Sequence, residues 1–282
     1  MKDTTVNDYV SAVILGIVEG LTEFLPVSST AHLRLTQEWL RQPLEDAYWK
    51  MFAIVIQLGA ILAVVVFFRR RLTAFCFTFS RPDTPQTRWR HPLVLVLLSF
   101  VVTAVPCFLM DELIGENLEN LFVMGWALII GGIAMWIVDL ACRHPRTERI
   151  EEMTVAQAVM IGLFQILAAA FPGVSRSMAT IAGGQLAGLS RPAALEFSFF
   201  LSIPVMVAAT GFKLLQFAWR NPTSMDAHGI AVLAVGFVVS FIVAWGVIAW
   251  FMHWVRRHGF APFAVYRIVM GTALLYYLAG SS

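Results

Sequence analysis

The sequence contains little charge. Charged residues make up 13% of its 282 residues, whereas a soluble domain usually carries about 25%. So little charge cannot cover a water-exposed surface, which excludes an ordinary soluble protein. Hydrophobic residues reach 59% and the mean hydropathy is +0.74, so most of the surface has to face lipid. We therefore expect an all-α polytopic membrane protein.

Cysteine and excess basic charge are also scarce. The three cysteines, Cys76, Cys107 and Cys142, are widely spaced, which gives no basis for a disulfide framework or a zinc site. The net charge is only +2 and no soluble basic domain is present, so nucleic acid is not an expected partner. A cleavable signal peptide is not expected either, because Glu19 and Glu23 interrupt the first apolar run and no small-residue cleavage site follows.

Long apolar stretches, in contrast, are abundant. Six of them approach or exceed the length of about 20 mostly apolar residues that crosses a bilayer. We therefore predict six full membrane spans. These are Met51–Phe68, Pro92–Met110, Leu121–Val138, Ala193–Phe212, Gly229–Phe251 and Pro262–Ala279.

Two further segments match each other at an offset of 146 residues. Each has an apolar helical pattern, then a proline, then a small polar cluster, then a short second helix. The shared positions of proline and serine indicate an internal repeat. The matching positions are Ala12-Val13 with Ala158-Val159, Gly16 with Gly162, Leu21 with Leu167, Pro26 with Pro172, and Ser29 with Ser175.

Both segments are broken at mid-length, which a lipid-facing helix does not tolerate. We predict two re-entrant helical hairpins, residues 9–39 and 155–188, each followed by three full spans. Because three is odd, the second repeat (156–282) enters the membrane from the side opposite to the first (1–139). The result is an inverted-topology repeat within a single membrane domain.

The basic residues of the loops are unevenly distributed. One set of loops holds twelve arginines, and the opposite set holds six basic residues and an acidic loop. The positive-inside rule places the first set in the cytoplasm, so both termini and the mouth of the first hairpin face outward. The arginine-rich loops are Arg69–His91, Ala141–Val155, Ser190–Pro192 and Met252–Ala261; the opposite face carries Lys2, Arg34, Arg41, Lys50, Lys213, Arg220, Asp111, Glu112, Glu116 and Glu119.

Glu19 and Glu23 lie inside the first predicted hairpin. An ionised carboxylate there costs several kcal/mol and is rarely idle. A spacing of four residues puts both on one helix face, with β-carbons about 6 Å apart. Two such groups share a proton or hold a cation, and Mg²⁺ or Ca²⁺ prefers oxygen ligands of this kind. The alternative is that both are structural partners of arginines.

After Pro26 ends the first half-helix, Ser28, Ser29 and Thr30 suit the N-cap of the second. The free N–H groups of that cap and the helix dipole form an anion site. His32 lies within one turn of both serines, so hydroxyl, imidazole and carboxylate can form an activated nucleophile. The hydroxyl residues could instead be caps alone, and His32 an interfacial histidine without chemistry.

The second hairpin supplies a matching helix start. Ser175 and Ser177 provide hydroxyl groups there, and Thr180 follows one turn later. Arg176 is a fixed cation whose planar donor fork suits phosphate oxygens. It could also be the counter-ion of Glu19.

Together these features predict a site for one phosphorylated lipid. We expect the Pro26 and Pro172 breaks to meet inside the bilayer and to aim two helix starts and Arg176 at a common anion. The lipid surroundings favour a substrate with an anionic head group and an apolar tail. Gln57 either hydrogen-bonds into this site or joins helices.

The remaining polar and small residues of the spans are interpreted as structural. Glu196 and Arg267 are expected to form an interhelical ion pair, and Asp139, near a span end, is expected to be solvated. The pairs Gly131-Gly132 and Gly183-Gly184 are expected to permit close helix packing.

The first motif, Glu19-Gly-Leu-Thr-Glu23-Phe-Leu-Pro-Val-Ser-Ser29-Thr-Ala-His32, resembles the first signature of the undecaprenyl-diphosphate phosphatase family, also called the bacitracin-resistance family. The second motif, Pro172-Gly-Val-Ser175-Arg176-Ser, resembles its second signature. Met178 departs from the family pattern, which usually has glycine or alanine there. The resemblance covers nearly the whole chain and includes Ile56-Gln57-Leu-Gly, Gly188-Leu-Ser-Arg191, Glu196-Phe-Ser-Phe and Pro262-Phe-Ala-Val-Tyr-Arg267.

The resemblance implies an enzyme of the bacterial plasma (inner) membrane whose active site opens to the outer, periplasmic face. Its reaction would hydrolyse undecaprenyl diphosphate to undecaprenyl phosphate and phosphate, which recycles the lipid carrier for peptidoglycan and underlies bacitracin resistance. Besides this lipid substrate and the membrane lipids, a homodimer partner is left open. The implied catalytic residues are Ser29, His32, Glu23 and Arg176, the implied ligands of a divalent cation (Mg²⁺ or Ca²⁺) are Glu19 and Glu23, and the expected substrate contacts are Ser28, Thr30, Ser175, Ser177, Gln57 and Thr180.

Two alternatives remain at this stage. Inverted repeats with broken helices are typical of transporters, so the same site could carry a lipid phosphate across the membrane. The topology could also be simpler, with Tyr9–Leu25 and Ala156–Phe171 as ordinary spans followed by loops.

Overall fold

The structure is a computed structural model that describes residues 7–42, 46–80, 88–110, 120–220 and 226–280, without the side chains of residues 218 and 220. Lys2, Arg81, Asp111, Glu112, Glu116 and Glu119 lie outside this part of the chain. Its α-helices are α1 (Asp8–Thr22), α2 (Ser29–Trp39), α3 (Ala47–Phe67), α4 (Arg69–Phe79), α5 (Pro92–Leu109), α6 (Leu121–Ala141), α7 (Val155–Ala170), α8 (Arg176–Leu186), α9 (Arg191–Arg220), α10 (Ala227–Val255) and α11 (Ala261–Gly280).

The described residues form an all-α membrane protein. Their only β-type feature is one isolated bridge between Thr147 and Leu189. Six helices, namely α3, α5, α6, α10, α11 and the Arg191–Phe217 part of α9, are long and apolar enough to cross a bilayer. The prediction of six full spans is therefore confirmed.

The two broken segments form two pairs of short helices. In each pair the helices pack against each other, α1 against α2 and α7 against α8. The helix–break–helix form that the sequence predicted is therefore present at both places. That these pairs are re-entrant, with their breaks at membrane depth, stays a prediction.

One predicted loop is wrong in part. The segment Arg69–His91 begins with a helix, α4, rather than with irregular chain. Phe75 is its buried residue, and its ring packs against Phe200 and His91 at centroid distances of 5.8 and 6.0 Å. The run of arginines before Phe75 indicated a loop, but one aromatic anchor is enough to hold a short helix against the spans.

The chain divides into two compact units, and each contains parts of both sequence repeats. The first comprises Met1–Phe24, Ser29–Phe67 and Ser202–Ala249; the second comprises Leu25–Ser28, Phe68–Leu201 and Trp250–Ser282. The predicted repeats, 1–139 and 156–282, are a division by sequence similarity and membrane topology, so the compact units do not test them. The repeats stay a prediction.

Within the first unit, α1 packs closely against α10 through small residues. A β-carbon at Gly16 would lie 2.7 Å from the carbonyl oxygen of Gly236 and 3.1 Å from the Val239 side chain. A β-carbon at Gly20 would likewise meet Val243 at 2.7 Å. The missing side chains therefore allow the α1 backbone to approach the α10 backbone directly.

Within the second unit, α7 packs against α5 in the same way. A β-carbon at Gly162 would lie 2.7 Å from the carbonyl oxygen of Ser99. The Ser99 hydroxyl donates to the Ala158 carbonyl at 2.6 Å, and the Thr103 hydroxyl donates to the Gly162 carbonyl at 2.8 Å. Gly16 and Gly162 are equivalent positions of the two predicted repeats. Each of them lets its helix pack against the middle span of the other repeat.

The second unit also contains the contact between α6 and α11. A β-carbon at Gly271 would lie 2.6 Å from the carbonyl oxygen of Gly125. These two glycines are themselves 146 residues apart. The offset found in the hairpins therefore extends to the last span of each repeat.

Asp139 is not solvated, contrary to the prediction. It is 3% exposed, and its carboxylate accepts from Arg191 Nε at 2.6 Å, from Phe260 N at 3.0 Å and from Gln185 Nε2 at 3.3 Å. Its position near a span end suggested water, but four helix ends converge there and supply donors instead. The two glycine pairs do permit close packing, for example of Gly184 against Ala194.

Candidate functional site

The first break brings a serine hydroxyl onto a carboxylate. α1 ends at Thr22, Glu23 follows as its C-cap, and α2 begins at Ser29. The Ser29 hydroxyl donates to Glu23 Oε2 at 2.6 Å. A hydroxyl–carboxylate hydrogen bond this short is charge-assisted and strong. The direct partner that the structure shows for the predicted nucleophile is thus a glutamate.

Both glutamates are withdrawn from solvent. Glu19 is 0% and Glu23 is 6% exposed, and the Glu23 N–H donates to the Glu19 carbonyl at 2.9 Å, which continues the helical pattern. The two side chains therefore occupy one face of the end of α1, as the spacing predicted.

This pair fits a divalent cation that the substrate helps to bind. Among the described residues, no group of three or more His, Cys, Asp or Glu side chains is arranged to hold a metal ion. Mg²⁺, however, is commonly held by one or two carboxylates together with substrate phosphates and water. Two neighbouring carboxylates are enough for that kind of site, so Glu19 and Glu23 fit a divalent cation. Binding of the cation stays a prediction.

The remaining residues of the first motif differ in exposure. His32 lies in the first turn of α2 and is half-buried, Thr30 is exposed, and Ser28 is buried. Gln57, on α3, is half-buried. Contacts of these four residues with a substrate stay predictions.

Both breaks contain a serine in an unusual backbone conformation. Ser28 has φ 74° and Ser175 has φ 73°, in the left-handed region that residues other than glycine rarely adopt. Each of them directly precedes a helix, α2 or α8. Such strain costs on the order of 1–3 kcal/mol and clusters at functional sites. The two breaks are therefore built alike at the helix start.

This conformation corrects the predicted register of the breaks. Ser175 caps α8, as a hydroxyl was predicted to do, and its hydroxyl accepts from Met178 N at 3.4 Å. The residue equivalent to Ser175 is therefore Ser28 rather than Ser29, and Arg176 is equivalent to Ser29. The second break accommodates one more residue, at Gly173, whose φ of 93° suits only glycine.

Arg176, the first residue of α8, is held by α9. Its Nη1 donates to the Ser198 carbonyl at 3.3 Å, and Thr180 reinforces the same contact through a 2.7 Å hydrogen bond to the Ser198 hydroxyl. The Ser177 hydroxyl donates to the Leu25 carbonyl at 2.9 Å and lies 3.1 Å from the Ser175 hydroxyl. Ser177 and Thr180 thus have protein partners, and their contact with substrate stays a prediction.

The two breaks are joined within the second unit, and their predicted position inside the bilayer stays a prediction. Residues 25–28 belong to the same compact unit as the second break. Ser177 joins that break to Leu25, and Arg267 donates from Nη1 to the Pro26 carbonyl at 3.2 Å and from Nη2 to the Gly173 carbonyl at 3.0 Å. One guanidinium therefore spans both breaks.

The predicted ion pair between Glu196 and Arg267 is wrong. Glu196 pairs with Arg71. Arg267, which is 0% exposed, donates within the described part of the chain to carbonyl groups. The sequence did contain a signal for this: a broken helix leaves carbonyls without a helical partner, and a buried arginine is a natural donor to them. The prediction paired the arginine with a carboxylate, whereas its acceptors are these carbonyls.

Comparisons with known proteins identify the family of this chain. The undecaprenyl-diphosphatase of Koribacter versatilis is 54% identical over 279 residues, which covers 95% of this chain and 98% of that protein. The undecaprenyl-diphosphatase of Thermus thermophilus is 40% identical over 268 residues, covering 94% of this chain and 96% of that protein. A family model described as Bacitracin resistance protein BacA matches residues 12–273. With nearly the whole chain matched, the protein belongs to the bacitracin resistance protein BacA family.

Proposed function

We propose that this protein hydrolyses undecaprenyl diphosphate to undecaprenyl phosphate and phosphate, and so recycles the lipid carrier of peptidoglycan synthesis and confers bacitracin resistance. The observation that carries the proposal is the 2.6 Å hydrogen bond from the Ser29 hydroxyl to Glu23 at a helix break. Such a pair is the arrangement of a nucleophile with its base. The names and extent of the relatives support the same substrate.

Ser29 and Glu23 start the reaction. The Ser29 oxygen attacks the terminal phosphorus while Glu23 Oε2 takes its proton. The bond from that phosphorus to the bridging oxygen breaks, and the electron pair leaves with undecaprenyl phosphate. Water then attacks the phosphoserine, with His32 taking the proton of the water and Glu23 returning its proton to the serine oxygen. His32 then releases the proton to bulk water, which restores the starting enzyme. The products are undecaprenyl phosphate and phosphate.

Arg176 stabilises the charge that builds up on the transferring phosphoryl group. Its guanidinium can donate two parallel hydrogen bonds to phosphate oxygens, and it stands at a helix start, where the dipole also favours an anion. Phosphoryl transfer depends mainly on such positioning and charge stabilisation. Loss of one contact of this kind costs on the order of 10²–10³ in turnover.

Glu19 and Glu23 would hold a divalent cation, Mg²⁺ or Ca²⁺. A bound cation of this kind would neutralise diphosphate oxygens beside the two carboxylates, which otherwise repel the substrate. A carboxylate has two oxygens, so Glu23 can meet Ser29 through Oε2 and serve the cation as well.

The protein is a multi-pass membrane protein, and we place it in the bacterial plasma membrane. The uneven arginine distribution supports a cytoplasmic position for the loops around Arg143 and Arg256. The site of Ser29 then opens to the outer face.

A phosphate-release assay tests the proposal. Purified protein in detergent with undecaprenyl diphosphate and Mg²⁺ should release phosphate, and EDTA should stop the release. Ser29→Ala should reduce turnover by on the order of 10³ or more, whereas Ser80→Ala, which removes an exposed hydroxyl at the end of α4, should not. Full activity of Ser29→Ala would contradict the proposed nucleophile.

A lipid-phosphate transporter is the second candidate, and the pair of broken helices is the observation that favours it. Liposomes containing the protein and labelled undecaprenyl phosphate distinguish the two functions. Movement of this lipid between leaflets without phosphate release from the diphosphate would favour transport, because transport needs no nucleophile.

A further inference from the structure

Arg267 is an arginine completely enclosed by protein. It lies on α11 and is 0% exposed. Its guanidinium donates to three carbonyls: Pro26 at 3.2 Å, Gly173 at 3.0 Å and Ala127 at 3.1 Å. Two of these acceptors belong to the two breaks, and the third belongs to α6.

The Pro26 and Gly173 carbonyls, which belong to the breaks, need a donor. A helix break frees carbonyls from the helical hydrogen-bond pattern, and an unsatisfied buried carbonyl in a membrane protein costs several kcal/mol. A guanidinium offers five N–H donors in a fixed planar fork, so one side chain can satisfy several carbonyls at fixed angles. The more flexible lysine ammonium offers three donors from one atom and does not reproduce this geometry.

Helix α6 packs closely against the guanidinium. Gly131 on α6 lies directly against the guanidinium, and a β-carbon there would collide with Nη2. The Met178 methyl group would meet the same β-carbon at 2.9 Å. The guanidinium therefore sits in a close-fitting cavity, and the Ser177 bond to the Leu25 carbonyl is a second tie between the breaks.

We propose that Arg267 is a positioning residue for the phosphatase reaction, which fixes the two helix breaks to each other and thereby sets the backbone that carries the nucleophile. Pro26 precedes Ser29 by three residues, so a shift of the Pro26 carbonyl passes through a short, buried stretch of chain to the nucleophile. Gly173 precedes Arg176 by the same number of residues. This inference rests on the proposed function.

The expected effect falls on turnover. A misplacement of about 1 Å in a catalytic group can cost about 100-fold in rate, so Arg267→Met should lower kcat by about that factor while KM stays near the wild-type value. Arg267→Lys retains the charge but not the fork, and should recover only part of the loss. A purely structural role would instead lower the thermal midpoint and leave kcat per folded molecule unchanged.

The distance between the two helix breaks can be measured directly. Spin labels on Leu25→Cys and Phe171→Cys, in a background without the native cysteines, report the separation of the breaks by pulsed electron resonance in nanodiscs. The distance distribution should be narrow with Arg267 and broad with Arg267→Met. A narrow distribution and an unchanged kcat in Arg267→Met would overturn the proposal.

If Arg267→Met does not fold, two glycine variants test the positioning role of Arg267. Gly131→Ala displaces the guanidinium, whereas the β-carbon of Gly125→Ala, on the same helix, meets the Leu275 side chain at 2.7 and 2.8 Å instead. Gly131→Ala should lower kcat more than Gly125→Ala at a similar thermal midpoint; equal kcat values would overturn the proposal. If wild-type protein releases no phosphate at all, the proposed function fails, and the spin-label distances still report on Arg267.

Discussion

At the scale of single residues, the site depends on a few buried contacts around Ser29. The Ser29 hydroxyl meets a carboxylate that is 6% exposed, so little water competes for the proton during transfer. Strained backbone at Ser28 fixes the start of the helix that carries this hydroxyl. A small set of buried contacts thus determines where the nucleophile stands.

Replacing Glu23 tests its role as the base. Glu23→Gln keeps the size of the side chain and an oxygen that accepts from Ser29, but it cannot take a proton. We expect turnover to fall on the order of 10²–10⁴-fold, measured as phosphate release. Glu38→Gln makes the same charge change on the exposed face of α2 and should leave turnover near wild type; a similar loss in both variants would mean that charge alone matters.

Some residues of the site are predictable from the sequence and others are not, for physical reasons. Glu23 was predicted because it is a carboxylate in an apolar segment, four residues from Glu19, and Ser29 because it is a hydroxyl residue at a helix start within one turn of His32. Their direct contact was not predicted, since the path of the break decides whether the serine meets Glu23 or His32. Arg267 was assigned the wrong partner because its acceptors are backbone carbonyls, which no residue type marks.

At the scale of elements, the helix ends show how local chemistry positions the spans. α5 begins after His91, whose Nδ1 accepts from Leu93 N at 3.3 Å while its Nε2 lies 3.0 Å from the Thr78 hydroxyl of α4. The imidazole must be neutral for Nδ1 to accept. The rings of Phe75 and Phe79 border it, so this end of the span depends on an unprotonated histidine.

This dependence predicts a response to pH. Burial lowers the pKa of His91 below its usual 6.5, so the unfolded chain binds the proton more readily than the folded one. The stabilisation is complete above about pH 6.5 and decreases as the pH falls from there to the folded-state pKa. We expect the thermal midpoint to drop between about pH 7.5 and pH 5.

His91→Asn should reduce that pH dependence, because asparagine caps a helix without titrating. His144→Asn, at an exposed histidine, is the control and should keep the wild-type profile. An unchanged pH dependence in His91→Asn would show that another group is responsible.

At the scale of the whole molecule, one packing rule recurs. Gly16 seats α1 on α10, and Gly162 seats α7 on α5. In both places a missing side chain lets one backbone rest against another, a common way to join helices in lipid, where the hydrophobic effect does not drive helices together.

Glycine replacements test this rule. Gly16→Ala and Gly162→Ala each place a β-carbon 2.7 Å from a backbone carbonyl oxygen, and we expect each to destabilise the fold by about 1–3 kcal/mol, measured by denaturation in mixed micelles. The β-carbon of Gly246→Ala, in α10, meets no atom of the described residues within 4 Å, so this replacement should not destabilise. Tolerance of both replacements would mean that the helices can separate at no cost.

The global fold was largely predictable, since long apolar runs define the spans. The helical character of α4 was not, because its arginines mask one buried aromatic residue, Phe75. The predicted equivalence of Ser29 with Ser175 was off by one residue, because backbone conformation at Ser28 and Ser175, rather than side-chain identity, decides which residue precedes each helix.

The contact of Gly125 with Gly271 has an evolutionary consequence. A self-complementary interface joins the same residue of two equivalent copies, and these glycines occupy the same position, 146 residues apart. A half-length ancestor that paired with its own duplicate would already have made this contact between two separate chains. Joining the two genes into one would then have required a new linker but no new packing surface at this point.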